Sequence, residues 1–332
     1  YIKYHIMREV LAGYPRICCF QSSRPPSQRY GEAGCAAVYG PDSSQWEDFH
    51  GAPCNQFQKS TDEDDWLGRF NLSYQFDPER MVYATWSEGY RPGGINRRGT
   101  LPPYVSDFLT NWEAGWKTSW ADNSIIWNGA VLQEDWEDFQ FSLLGLNGLT
   151  EIKNAAQARI RGLETDLTWA ATYNLRVGGG IALYNAELTD NYCGFTDENG
   201  VPATVCDDPE APSGTRLPIS AKFKGNAHAR YTWDSDLEPY FMATVVHEGK
   251  RESDLRLATR DILGDLPAYT TLDLSAGFKW NAYNIDFFLK NATDERAQFS
   301  RYVQCPETVC GDQRYISTNQ PRTFGVRVSQ EF

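Results

Sequence analysis

Alternation between apolar and polar side chains runs through most of this sequence, and one set of alternate positions carries no charge. Residues 272–291 read LDLSAGFKWNAYNIDFFLKN, which predicts two strands joined by a short turn. Leu272 and Leu274 fall on one face of the first strand, and Asp273 falls on the other. Because 23% of the chain is charged, a face without charge must be excluded from water. The face is formed by Phe70, Leu72, Tyr74 and Phe76; Trp112, Ala114, Trp116, Thr118 and Trp120; Leu163, Thr165, Leu167 and Trp169; Ala227, Ala229, Tyr231 and Trp233; Leu272, Leu274, Ala276, Phe278 and Trp280; Ile285, Phe287 and Leu289; and Phe324, Val326 and Val328.

The alternation predicts eleven strands and two kinds of connection between them. The strands are placed at 65–76, 81–91, 109–120, 124–138, 154–170, 174–188, 218–233, 238–251, 267–280, 284–298 and 318–332. Tight turns, such as DPER at 77–80, alternate strictly with long connections, such as 189–217. Outer-membrane barrels have the same asymmetry, with short periplasmic turns at one end and long extracellular loops at the other. The predicted fold is therefore all-β, an antiparallel up-and-down transmembrane β-barrel.

Aromatic residues on the charge-free face stand next to the tight turns. The residues are Phe76, Trp120, Trp169, Trp233 and Trp280, and Phe332 ends the last strand at the same level. Amphipathic rings concentrate where hydrocarbon meets lipid headgroups, so we expect a periplasmic aromatic girdle in contact with outer-membrane lipid. The alternative is that each ring caps the core of a soluble β-sandwich. The regular repeat at one end of the strands favours the girdle.

Composition excludes several classes of protein. No stretch reaches 18 uninterrupted apolar residues, which excludes a transmembrane helix. The net charge of −13 argues against nucleic acid as a partner, because a phosphate backbone requires a basic groove. The four histidines are scattered, so no metal site is predicted. Catalytic motifs are missing, and the acidic cluster at 134–138 is interpreted as a solvated rim, so neither an enzyme activity nor a cofactor is predicted.

The eight cysteines lie outside the alternating segments. Two pairs in polar loops predict short loop-closing disulfides of an oxidising compartment: Cys193 with Cys206, and Cys305 with Cys310. The connectivity of the others stays open: Cys18, Cys19, Cys35 and Cys54.

Residues 1–62 differ in character from the remainder of the chain. They are rich in Cys, Pro and Gly and lack a sustained period, which predicts a mostly irregular extracellular loop region with a candidate short strand over 1–8. Residues 63–332 hold the barrel strands. The chain begins without an initiator Met or a signal segment, which indicates a mature form or a fragment. Single-chain bacterial barrels have an even strand count, so a fragment of a larger barrel is favoured, although residues 1–8 are a candidate twelfth strand.

Six blocks of sequence, in the expected order, resemble the barrel region of TonB-dependent outer-membrane receptors. The blocks are YATWSEGYRPGGIN (83–96), NWEAGWKTSW (111–120), NGAVLQEDWEDFQ (128–140), ARIRGLETDLTW (158–169), FFLKNATDERA (287–297) and PRTFGVRVSQEF (321–332). The resemblance implies that eleven strands of about 22 are present, and that the plug domain that fills such barrels is absent from this sequence. It also implies import of a scarce nutrient across the bacterial outer membrane, most often a ferric siderophore, energised by the TonB complex through an N-terminal box.

Two groups of residues are candidates for binding. At the predicted extracellular mouth, arginine side chains could attract an anionic ligand such as a ferric chelate, and turn chemistry around EGYRPGGIN is the alternative. This mouth group is Tyr90, Arg91, Asn96, Arg97 and Arg98. Inside the barrel, charges of both signs suit contact with a plug better than an ion-selective pore. This lumen group is Glu113, Lys117, Glu164, Asp166, Asn226, His228, Arg230 and Asp273.

Other functions stay open at this stage. Within the family, glycans and vitamins are alternatives to an iron chelate. A passive porin would use similar strand chemistry around an open channel. A soluble β-sandwich binding module, from a different class, would require the charge-free face to pack against a second layer of the chain.

Overall fold

The computed structural model describes residues 2–13, 47–49, 52–96, 102–144, 150–155, 157–197, 199–303 and 314–330. Near the N-terminus, β1 (Ile2–Gly13) and β2 (Glu47–Phe49) both pair antiparallel with β3 (Ala52–Leu67). Residues 1–62 therefore contain more strand than the mostly irregular loop that the sequence predicts. The reason is that β3 leads directly into the next strand, with only Gly68 between them, and β1 pairs with its backbone from Leu67 to Asn55.

The main sheet has eleven antiparallel strands, and all eleven predicted strands are confirmed. They are β4 (Arg69–Asp77), β5 (Arg80–Arg91), β6 (Asp107–Trp120), β7 (Ile125–Glu137), β10 (Gln157–Ala170), β11 (Leu175–Leu188), β12 (Phe223–Thr232), β13 (Tyr240–Glu248), β14 (Tyr269–Trp280), β15 (Tyr283–Lys290) and β18 (Thr323–Gln330). Each strand pairs with the one before it in this order, so the sheet runs up and down from β4 to β18. The tight turns and long loops consequently lie at opposite ends, as predicted.

The long loops carry regular structure that the sequence does not predict. A hairpin of β8 (Gln140–Leu144) and β9 (Thr150–Asn154) follows β7, and a second hairpin of β16 (Gln298–Val303) and β17 (Arg314–Thr318) follows β15. Helix α1 (Leu257–Leu263) lies in the loop between β13 and β14. No helix in the described part of the chain is long and apolar enough to span a membrane.

The charge-free face of the sheet is open to its surroundings. Phe70 is 65% exposed, Trp112 is 56% exposed and Phe324 is 70% exposed. Among the described residues, no second layer packs on this face, so the β-sandwich alternative is wrong. A contiguous apolar face of this size is stable only in contact with hydrocarbon. Phe76, Trp120, Trp169, Trp233 and Trp280 of the predicted girdle are exposed on it, and Phe332 lies outside the described residues.

The buried core lies at the long-loop end rather than along the sheet. It is formed by Phe139, Ala155, Ala158, Ala186, Leu188, Tyr192, Ala211, Leu217 and Leu255. Ala158 and Ala186 alternate with outward residues of β10 and β11, so this core packs on the inner side of the strand ends. The extracellular loops thus fold together over the inner face of the sheet.

Candidate functional site

The inner face of the sheet carries the predicted lumen group. All eight residues alternate with the exposed apolar positions of their strands, and they occupy four strands: Glu113 and Lys117 on β6, Glu164 and Asp166 on β10, Asn226, His228 and Arg230 on β12, and Asp273 on β14. The structure therefore brings them onto one wall.

Three glutamates on this wall form an acidic patch, which we define as Glu113, Glu134 and Glu164. Tyr83 donates a hydrogen bond from its hydroxyl to Glu113 Oε1 at 2.7 Å, and Tyr184 donates one to Glu164 Oε1. The charges of Glu113 and Glu164 both act on Glu134, which lies between their strands on β7. No Lys or Arg of the described residues forms a salt bridge with any of the three. The patch therefore concentrates negative charge on the lumen wall.

Two glycines make room for the tyrosines of the patch. Tyr83 lies directly opposite Gly115, where a Cβ atom would stand 2.6 Å from the tyrosine hydroxyl. Tyr184 lies opposite Gly162, where a Cβ atom would stand 2.8 Å from the ring. Because each ring lies flat over a glycine, its hydroxyl reaches a carboxylate two residues along the neighbouring strand.

A cavity of about 620 Å³ opens beside the patch. Glu164, Lys117 and Lys224 line it, together with the pair of Glu248 and Tyr269. Glu248 accepts a hydrogen bond from the Tyr269 hydroxyl at 2.7 Å and forms a salt bridge with Lys224 at 3.1 Å. The cavity thus mixes both signs of charge.

The other lumen residues have partners within the sheet. Asp166 accepts a hydrogen bond from Asn128 at 3.1 Å, and Asp273 accepts one from the backbone N–H of Asn291 at 2.7 Å. Arg230 stacks on the ring of Tyr240 at 3.7 Å, and His228 lies over Gly178. These contacts hold the side chains against the wall.

The predicted mouth residues do not form one cluster. Arg91 forms a salt bridge with the buried Asp107, which also accepts a hydrogen bond from Trp136 Nε1 at 3.1 Å. Tyr90 lies on the opposite face of β5 and donates a hydrogen bond to Glu63. Asn96 is buried and bridges the backbone of Ile152. Arg97 and Arg98 lie outside the described residues.

Charged and polar groups are also buried around the loop core. Burial raises the pKa of the Tyr192 phenol, and the negative charge of Glu210 raises it further. Burial acts to lower the pKa of Arg256, but hydrogen bonds to Asp254 outweigh it and the pKa is raised. At the end of β7, burial and then the charge of Glu137 raise the pKa of the Asp138 carboxyl.

The predicted disulfide between Cys193 and Cys206 is confirmed. It closes a loop directly after the buried Tyr192, so it restrains the segment that supplies part of the loop core. The predicted pair of Cys305 and Cys310 lies outside the described residues.

Sequence reasoning missed the tyrosine partners and the role of Glu134. The sequence places Glu134 on a solvated rim, whereas the structure places it on the inner face with the other two glutamates. The tight turn at 77–80 fixes the register of β4 and β5 but not of β5 and β6, which a long loop connects. For Tyr83, the signal of an aromatic residue opposite a glycine required that register, whereas the tight turn after β10 already sets Tyr184 opposite Gly162.

A family model described as TonB dependent receptor-like, beta-barrel, matches residues 22–293. The chain belongs to the TonB-dependent receptor family. Receptor barrels of this family are outer-membrane proteins, and the exposed apolar face agrees with that location.

Receptors of known sequence and structure resemble this barrel. The pesticin receptors of Yersinia enterocolitica and Yersinia pestis are each 24% identical over 301 residues, which is 86% of this chain and 39% of theirs. The ferric yersiniabactin uptake receptor FyuA of Yersinia pestis superposes with a TM-score of 0.66 at 20% identity, over 86% of this chain and 40% of that one. The siderophore receptor PiuA of Acinetobacter baumannii superposes with a TM-score of 0.62 at 16% identity, over 82% and 36% of the two chains. This chain spans about two fifths of the length of the first relatives.

Proposed function

We propose that this chain is the C-terminal half of a receptor barrel that imports a ferric siderophore with energy from the TonB complex. Membership of the family supports the energy source. The names of FyuA and PiuA, a ferric yersiniabactin uptake receptor and a siderophore receptor, support the substrate class. The protein acts as a transporter in this proposal, and no residue is assigned a catalytic role.

The acidic patch carries the proposal for the inner wall. The three carboxylates form no salt bridge within the described residues, so they repel one another, and positive charge from another domain would reduce that repulsion. A plug domain that fills the lumen is the body that the family supplies, so we assign the patch as a docking site for basic side chains of the plug. Lys117, Asp166, Asn226, His228, Arg230 and Asp273 would form the remaining contact surface.

The opposite face and the loops have separate roles in this proposal. The exposed aromatics beside the tight turns form the periplasmic girdle in lipid. Arg91 and the packed loops would shape the entrance, because Arg91 remains 49% exposed while its partner Asp107 is buried. The ordered core under the loops supports a defined entrance rather than a set of free strands.

Iron uptake by the intact receptor tests the function. The receptor would be expressed in an iron-starved bacterium that lacks its own siderophore receptors, and uptake of radiolabelled iron from a panel of ferric siderophores would be measured. We expect uptake of at least one chelate, lost when TonB is deleted. Uptake that persists without TonB would indicate a passive porin, and TonB-dependent uptake of only glycans or vitamins would overturn the siderophore assignment.

Neutralising the acidic patch tests the docking of the plug. In the intact receptor, the triple variant Glu113→Gln, Glu134→Gln and Glu164→Gln should loosen the plug, since truncating one side of a buried charge contact costs about 2–5 kcal/mol. Conductance in planar bilayers should then show openings that the parent lacks. Asp286→Asn is the matched control, because Asp286 also accepts a hydrogen bond from a tyrosine, Tyr240 at 2.7 Å, but lies opposite the basic residue Arg327 of the neighbouring strand. Equal conductance in the triple variant, the control and the parent would refute the docking site.

A further inference from the structure

A groove of about 710 Å³ crosses the outward face of the sheet where small residues replace the larger apolar ones. Gly179 of β11 pairs with Ala227 of β12, and the neighbouring row holds Ala229 and Ala243. Leu167 stands opposite Gly179 on β10 and forms one wall of the groove. The groove lining is almost wholly apolar and is continuous with the face that meets hydrocarbon. Its surroundings are therefore lipid acyl chains.

On the same outward face, charged side chains occur again between the groove and the extracellular loops. On β10, Arg161 lies two positions beyond Leu163 on the same face, and it pairs with Asn185 of β11. The Nε of Arg161 donates to Gln133 Oε1 at 3.0 Å, and its two Nη groups have no acceptor in the described part of the chain. Arg161 is exposed, and it is the charged outward residue of this strand nearest to the apolar band.

The next arginine along the strand differs in its electrostatics. Arg159 forms a salt bridge with Asp135 at 2.5 Å, so its charge is already balanced. Arg216 reaches Asn185 from the following loop, but it is paired with Glu252 at 3.4 Å. Arg161 is therefore the cation of this group that forms no salt bridge within the described residues; its charge acts on Asp135 at longer range, and the amides of Gln133 and Asn185 flank it.

The height of Arg161 matches the outer edge of the membrane. It lies eight residues above Trp169 at the turn end of β10, or about 27 Å along the strand at about 3.4 Å per residue. With a strand tilt of about 45°, this distance corresponds to a rise of about 20 Å, close to the apolar band of about 25 Å in outer-membrane barrels. The Arg161 backbone therefore lies just below the upper edge of the apolar band, from which its long side chain can extend to the outer headgroups, and the groove lies below it.

We propose that the groove and Arg161 form a binding site for one phosphate-bearing lipid of the outer leaflet. An acyl chain lies against Gly179 and Ala227, and the headgroup phosphate accepts hydrogen bonds from the Arg161 Nη groups and the Asn185 amide. The guanidinium fork matches a phosphate, and the pairing is strengthened beside a low-dielectric phase. The site depends on the membrane location of the barrel and not on its transported ligand.

Lipid retention by the purified intact receptor tests this site. The receptor would be prepared in detergent with dipalmitoyl phosphatidic acid as the probe, and the lipid that remains bound would be counted by native mass spectrometry. Arg161→Gln should reduce retention about fivefold, because a basic residue at a charged lipid surface contributes about 1 kcal/mol. Ala227→Leu, which fills the groove, should reduce it as well.

Matched variants separate the site from general effects of charge and size. Arg159→Gln removes an arginine that is already paired, and Ala276→Leu enlarges an outward alanine on β14 away from the groove, so both should retain lipid like the parent. Inorganic phosphate should not compete, since it lacks the chain. Equal retention in Arg161→Gln and Arg159→Gln, equal retention of dipalmitoyl glycerol, which lacks the phosphate, or occupation of the groove by a second receptor copy would each overturn the proposal.

Discussion

The outward face of the sheet and the core under the extracellular loops are both apolar, yet they meet opposite surroundings. Leu167 on the sheet is 43% exposed, whereas Leu188 at the loop end is 1% exposed. The sheet is therefore stabilised by paired backbone groups and by lipid, and the loop core by exclusion of water. The difference shows that apolar side chains of one sheet can face lipid at one level and a water-excluding core at another. An exposed apolar side chain therefore does not by itself indicate poor packing.

The largest expected effect comes from truncating the loop core. Leu188→Ala should destabilise the loop region by about 2–5 kcal/mol, because it leaves a cavity among buried side chains. Leu167→Ala should cost less than about 1 kcal/mol, since lipid chains replace the lost contacts. Hydrogen exchange of the loop amides and urea unfolding in vesicles would measure the two regions. Similar losses of stability in Leu188→Ala and Leu167→Ala would contradict the distinction between a buried loop core and a lipid-facing sheet.

A charge on the outward face should have the next largest effect. Leu274→Lys places an ammonium in the middle of the lipid-facing side of β14, at a cost of about 2–4 kcal/mol. Asn226→Lys on the inner face is the control and should be tolerated. Folding into phospholipid vesicles, followed by urea titration, provides the comparison. If Leu274→Lys folded as stably as Asn226→Lys, the assignment of faces would be wrong.

Removing the disulfide should affect only the loop region. The double variant Cys193→Ser and Cys206→Ser should destabilise the loop core by about 2–3 kcal/mol, because the closed loop of 13 residues gains freedom when unfolded. The sheet should keep its stability in lipid, since the bond joins no two strands of it. Limited proteolysis of intact vesicles would report faster cleavage between the two positions. Loss of membrane insertion would instead show that the loops and the sheet fold as one unit.

The smallest effect is expected on the inner face. Tyr83→Phe removes one hydrogen bond to Glu113 and should cost about 1 kcal/mol, because water in the lumen can replace the hydroxyl. Gly115→Ala should cost more than Tyr83→Phe, since the added methyl displaces the whole ring. Urea midpoints in vesicles would rank the two variants, and the reverse order would contradict the described packing.

Strands and faces were predictable from the sequence because they depend on local alternation. The pattern in 272–291 fixes which side chains of β14 and β15 share a face, and the adjacent turn fixes their register. The hairpin of β8 and β9, helix α1 and the burial of Tyr192 were not predictable, because they depend on contacts between loops far apart in sequence. The acidic patch was missed in part because Glu164 on β10 reaches Glu134 only across strands that a long loop connects, although a tight turn joins the strands of Glu113 and Glu134.

The outermost strands β4 and β18 have one partner each within the main sheet, so along both of them a row of peptide groups is unpaired in the described residues. Each such group would cost several kcal/mol in oil. The open eleven-stranded sheet therefore cannot insert into a bilayer by itself. Both of its edge strands must pair with neighbouring strands before or during insertion. Insertion is thus cooperative, because both edge strands must pair as the barrel closes in the membrane.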